Sequence, residues 1–162
     1  MRTICIYHSE TGNTHAVMMD LVKSIGAECI RVKDRAPYGK ATMYLLGIPR
    51  ARSGALAEIE PDVIDVSGYD LIILGTPVWA FRPTPAANAM IQAIQNASGT
   101  RTILICTSHG SPGETLAILE KMALSSGMNV VGRHNITFSR QGVKDEKEIT
   151  ALKRAVWDIA RT

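Results

Sequence analysis

The residues best equipped for chemistry are three hydroxyls, Ser9, Thr11 and Thr14, packed with Glu10, Gly12 and Asn13 into six consecutive positions. They follow a short apolar run, Ile4-Cys5-Ile6-Tyr7, and precede Ala16-Val17-Met18-Met19, where helical spacing begins. A turn from a strand into a helix presents backbone N–H groups and the positive end of the helix dipole, which together favour a phosphate. Each hydroxyl can donate to a phosphate oxygen, and Gly12 allows close backbone approach or a left-handed conformation. No lysine or arginine stands in the turn, which suits a monophosphate. A triphosphate with magnesium calls for Gly-Lys-Ser/Thr, and a dinucleotide calls for G-x-G-x-x-G; neither pattern is present. The same residue types also make plain turns and helix caps, so the stretch alone is consistent with both readings.

Two further loops carry unusual chemistry. Gly75-Thr76-Pro77-Val78-Trp79-Ala80-Phe81-Arg82-Pro83 concentrates two aromatics in a chain that is only 5% aromatic. A large aromatic at a strand end serves as a stacking plate for a planar ring and adds on the order of 1 kcal/mol beyond the area it buries. Trp79 is the candidate plate, against the alternative of a core residue anchoring the loop. Phe81 either shields a ring edge or packs on the following helix. The other loop, Thr107-Ser108-His109-Gly110-Ser111-Pro112-Gly113, offers successive backbone N–H groups and a histidine.

These loops need a frame that brings them together. Five apolar runs rich in Ile, Val and Leu begin near Thr3, Glu28, Leu71, Thr102 and Asn129 and read as strands. Helical spacing fills the intervals, most clearly at Ile149, Leu152, Val156 and Ile159. Alternating strand and helix implies βαβ units and a parallel sheet with helices on both faces. Ser111-Pro112-Gly113-Glu114 has the form of a capping box and Thr84-Pro85 repeats the cap signal, while Gly26 and Gly127 stand where helices should stop. The stretch from Arg35 to Glu60, with Gly39, Gly47 and Gly54 around Met43 to Leu46, predicts one short helix and a long connection.

Composition narrows the function classes. The chain has 162 residues, 46% hydrophobic and 20% charged, the profile of one packed domain. Apolar runs such as Leu71 to Leu74 are far shorter than the ~20 residues of a membrane span, and the N-terminus lacks a cleavable leader pattern, so a cytoplasmic protein is expected. A net charge of +3 is too weak to imply nucleic acid. Cys5, Cys29 and Cys106 read as buried small hydrophobes, and the four histidines are scattered without metal-ligand spacing. A phosphatase loop of cysteine, five residues and arginine is missing at both Cys5 and Cys106, and a receiver's acidic cluster is missing because only Glu10 follows the first strand.

Ser9-Glu10-Thr11-Gly12-Asn13-Thr14 resembles the Ser/Thr-x-Thr-Gly-x-Thr phosphate loop of the flavodoxin family, and the two later loops match that family's ring-binding loops in order. The resemblance implies a three-layer, doubly wound α/β fold with five parallel strands in the order 2-1-3-4-5, in the short-chain form. It also implies flavin mononucleotide (FMN) across the carboxyl ends of the strands, with Ser9 to Thr14 on the phosphate. Residues 76–81 (Thr76, Pro77, Val78, Trp79, Ala80, Phe81) and Thr107, Ser108, His109, Gly110, Ser111 and Gly113 then hold the ring. His109 near the pyrimidine edge would favour the anionic reduced flavin if protonated; a solvent-facing histidine is the plainer alternative. Flavodoxins are usually acidic and often carry a glycine beside flavin N5, and this chain does neither. The glycine-free loop predicts a costly turn to positive φ, and the basic balance suggests acidic or anionic redox partners. The resemblance implies an electron shuttle between proteins. The alternatives are a small flavin reductase acting on a quinone with reduced nicotinamide, and a binding module without flavin.

Overall fold

The computed structural model describes residues 1–36, 38–142 and 144–161. Its five main strands are β1 (Thr3–His8), β2 (Glu28–Asp34), β3 (Leu71–Trp79), β4 (Arg101–Ser108) and β5 (Asn129–Thr137). They pair in parallel in the order β2-β1-β3-β4-β5, as the resemblance implies. The helices are α1 (Asn13–Ile25), the composite α2, α3 (Pro85–Ala93), α4 (Thr115–Ser125) and α5 (Glu146–Ala160). The α2 stretch joins Lys40–Thr42, a π-helical turn Met43–Gly47 and Ile48–Arg52. Among the described residues no helix is long and apolar enough to cross a membrane.

Strand alternation builds two cores. Ile4, Ile6, Ile72, Leu74 and Leu104 face α3 and α4 and pack with Met90, Ile91 and Leu119. Cys5, Tyr7, Ile73, Ile103 and Ile105 face α1 and α5 and pack with Val17, Met18, Leu21 and the expected stripe Ile149, Leu152 and Val156. Residues 71 to 74 are fully buried because the sheet is covered on both sides. Burial pushes the thiols of Cys5 and Cys106 up to about 12, which leaves them unreactive. Cys29 departs from expectation: it is exposed. It lies on β2, whose outer edge pairs at Lys33 and Asp34 with the short antiparallel strand Ile59–Glu60.

Local punctuation is partly as read. Thr84 caps α3, its hydroxyl accepting from Ala87 N–H at 3.1 Å, and Gly26 closes α1 at φ 67° with its amide on the Val22 carbonyl. Ser111 does not cap α4. That helix starts at Thr115, and the Ser111 hydroxyl instead accepts from Gly113 N–H at 3.2 Å. Gly113 holds φ 54° and cannot join a helix there.

The reason lies across the sheet edge. β3 ends in a tight hairpin that pairs Trp79 with Arg82, with Ala80 at φ 49° and Phe81 at φ 67° in the two-residue turn. Positive φ at both centres is the signature of a type I′ turn, normally filled by Asn or Gly. The glycine-free loop thus already adopts, at Ala80 and Phe81, the positive φ that its residue types make costly. Each residue costs roughly 1 kcal/mol or more in that conformation. The following segment holds the turn down: Glu114 N–H donates to the Phe81 carbonyl at 2.9 Å, and Arg82 pairs with Glu114 at 3.0 Å. Gly113 lies flat against Phe81, so that a Cβ there would stand 2.6 Å from the Phe81 carbonyl oxygen.

Gly113→Ala combines that collision with a left-handed φ, and the expected loss of stability is about 2–3 kcal/mol in urea unfolding with an unchanged m-value. A loss below about 0.5 kcal/mol would contradict the clamp.

Candidate functional site

The carboxyl ends of β1, β3 and β4 meet the head of α1 at a cleft of about 300 Å³. Thr11 and Asn13 form its α1 side, Pro77, Val78, Trp79 and Ala80 come from the end of β3, and Thr107, Ser108 and His109 come from the end of β4. All three loops singled out in the sequence thus contribute to one cavity.

The hydroxyl turn is held from several directions. Gly12 sits at φ 98° and starts α1, and the first-turn amides have no acceptor inside the helix. One of them, His15 N–H, is taken by the Ser9 hydroxyl at 3.1 Å, so Ser9 acts as a cap. Thr14 is fully buried and its hydroxyl meets that of Thr107 at 2.8 Å. Tyr7 and His15 share a further bond at 2.7 Å. Thr11 is exposed at the cleft. Glu10 turns toward β2, 3.7 Å from the Nε2 of His8 and beside a second hollow shared with Arg31 and Asp34. His8 donates from Nδ1 to the Val32 carbonyl at 3.2 Å, and its buried Nε2 has no hydrogen-bond partner among the described residues. Burial lowers the pKa of His8 and, reinforced by Asp34, raises that of Glu10.

At the ring end the picture changes. Trp79 lines the cleft but is only 8% exposed, which corrects the expectation of an open stacking plate. Its six-membered ring lies under Gly47 of α2, where a Cβ would approach Trp79 to 2.7 Å, and Tyr38 packs edge-on with centroids 5.5 Å apart. Thr76 has no exposed surface; its hydroxyl donates to the Pro77 carbonyl at 3.0 Å and lies 3.4 Å from that of Thr84. Phe81 is exposed on the hairpin, with Gly113 against its backbone. Gly110 and Ser111 are exposed beyond the cleft.

His109 bridges two loops. Its Nδ1 donates to the Phe138 carbonyl at 3.2 Å, and its Nε2 accepts from the Asn13 side-chain amide at 3.4 Å. Ser108 donates to Asn135 Oδ1 at 2.9 Å, and Asn135 also takes the Cys106 thiol.

Several contributors were not visible in the sequence. Met43, Tyr44 and Ile48 of α2 form a wall of the cleft, from the stretch expected to hold one short helix and a long connection. Arg31 of β2 donates to the Ser9 carbonyl at 2.8 Å and brings a guanidinium to a turn that has no cation of its own. Pairing of β1 with β2, Tyr7 beside Arg31, is the signal that would have found it.

Free first-turn amides, the Thr11 hydroxyl, and a cleft walled by apolar side chains and strand-end backbone fit a monophosphate attached to a planar ring. The donor set therefore fits FMN.

The sequence model of the flavodoxin family matches residues 2–125. No curated protein sequence matches the chain. Among solved structures, one from Bacteroides eggerthii is similar at TM-score 0.74 and 21% identity, covering 93% of this chain and 94% of its own. A Lactobacillus acidophilus flavoprotein in complex with FMN gives TM-score 0.66 and 24% identity over 83% of this chain and 92% of that one. The two-electron reduced flavodoxin of Megasphaera elsdenii gives TM-score 0.61 and 17% identity over 99% of both chains. With its family match running from β1 through α4, the protein belongs to the flavodoxin family.

Proposed function

We propose that the protein binds FMN and carries electrons between redox partners. The observation that carries this reading is the head of α1, rich in hydroxyls and without a cation of its own, opening into a cleft with apolar walls. FMN, when bound, supplies reversible one- and two-electron chemistry.

In this reading Thr11 and the amides of Gly12, Asn13 and Thr14 hold the phosphate, while Ser9, Glu10 and the Thr14 side chain support the turn. Pro77, Val78, Trp79 and Ala80 border the ring on one side, with Thr76 and Phe81 holding their loop in shape. Thr107, Ser108 and His109 border the pyrimidine edge, and Gly110, Ser111 and Gly113 shape the backbone behind them. His109 places its imidazole beside the position where negative charge develops on reduction. Electron exchange takes place at the apolar rim of the cleft, where Tyr44 lines the opening and is more than half exposed. Arg52 and Arg140 are also exposed, and with the basic net charge they favour an acidic or anionic partner. The same apolar rim would admit a small planar acceptor such as a quinone, in which case the protein acts as an FMN-dependent reductase with a reduced nicotinamide.

Three outcomes test these assignments. Thr11→Ala removes one charge-assisted bond, and the Kd for FMN is expected to rise by about tenfold while riboflavin binding is unchanged; equal losses would detach Thr11 from the phosphate. His109→Gln is expected to lower the potential of the second electron by roughly 60 mV, a tenfold change in a one-electron equilibrium. An unaltered potential would remove His109 from the reading. The purified protein alone is expected to oxidise reduced nicotinamide with a quinone no faster than free FMN does; rapid turnover would establish the reductase instead.

A further inference from the structure

We infer that Tyr44 of α2, rather than Trp79, supplies the aromatic face on which the isoalloxazine ring rests, an inference that depends on the FMN reading above. The indole of Trp79 is 8% exposed and is covered by Gly47, so little of its surface is open to the cleft. Its neighbours on that side, Pro77, Val78 and Ala80, have no aromatic ring. The phenol of Tyr44 lines the same cleft and is 66% exposed, which makes it the large flat apolar surface still open to a ligand there.

The backbone explains why Tyr44 is presented this way. Residues 43–47 form a π turn, closed by Ile48 N–H on the Met43 carbonyl, and such turns set side chains out of helical phase. Gly47 presses the turn onto the indole, and no other residue type fits that contact, because a Cβ would reach 2.7 Å from the ring. The far end is tied down by Arg50, which donates to the Tyr38 hydroxyl and to the Leu56 carbonyl, and by Asn88, which donates to the Ala55 carbonyl at 3.2 Å. Tyr44 is thereby held over the cleft by a segment docked on Trp79. Trp79 acts as a positioning residue, a buried support for the wall that touches the ring. An offset stack on a phenol is favourable and indifferent to the phosphate, which sets this contact apart from the α1 turn.

The test uses flavin-stripped full-length protein titrated with FMN and with riboflavin, for wild type, Tyr44→Ala, Tyr44→Phe and Leu45→Ala. Tyr44→Ala is expected to raise both Kd values by the same factor, about tenfold, with an unchanged far-UV spectrum because the side chain lies outside the core. Tyr44→Phe keeps the ring and stays within about twofold of wild type, and Leu45→Ala, 73% exposed and outside the cleft, matches wild type. The inference is overturned if Tyr44→Ala binds FMN within twofold of wild type, or if its loss is confined to FMN. Wild type that takes up neither flavin would overturn the FMN reading and this inference with it.

Discussion

The hydroxyls of Thr14 and Thr107 meet at 2.8 Å in the protein interior, and the candidate site hangs on that bond. It fastens the first turn of α1 to the last residues of β4 and so joins the hydroxyl turn to the third loop. A buried hydroxyl without a partner costs about 1–3 kcal/mol, which makes either alternative placement of the helix head unfavourable. Tyr7 with His15 and Ser9 with the His15 amide add further ties to the same turn. With the helix head fixed, Thr11 and Asn13 line the cleft at the carboxyl edge of the sheet, the position where open parallel sheets bind ligands.

A second constraint acts through the Trp79 region. The hairpin at Ala80 and Phe81 stores positive-φ strain that is held by Glu114 N–H and by the fit of Gly113. The indole just before it carries α2 on its face through Gly47. One short stretch of β3 therefore sets the position of both the α4 approach and the α2 wall. A change at Gly47 or Gly113 would reach the cleft without touching a ligand.

The strands, the flanking helices and the hydroxyl turn were legible in the sequence because each is written in local terms. Runs such as Leu71 to Leu74 report burial on both faces, and the stripe from Ile149 to Val156 reports one face of a helix. What could not be read depends on distant contacts. Trp79 was read as an open plate because Gly47 is 32 positions away and only the folded chain brings it over the indole. Ser111 looked like a helix cap because the contact between Gly113 and Phe81, which delays the helix to Thr115, leaves no trace in the local pattern. The π turn in α2 was hidden by Gly39, Gly47 and Gly54, which disrupt the helical period, and with it the cleft lining by Met43, Tyr44 and Ile48. Arg31 was missed because a charge on β2 acquires its role only through pairing with β1.

The claim most open to a direct check is that the α1 turn selects a phosphate and the cleft accepts the ring attached to it. Titrating flavin-stripped wild-type protein with FMN and with riboflavin separates the two parts. Saturable uptake of one FMN per chain is predicted, with riboflavin bound at least about 100-fold more weakly because the phosphate bonds are lost. Equal affinity for the two flavins, or no saturable uptake of FMN, would contradict the account.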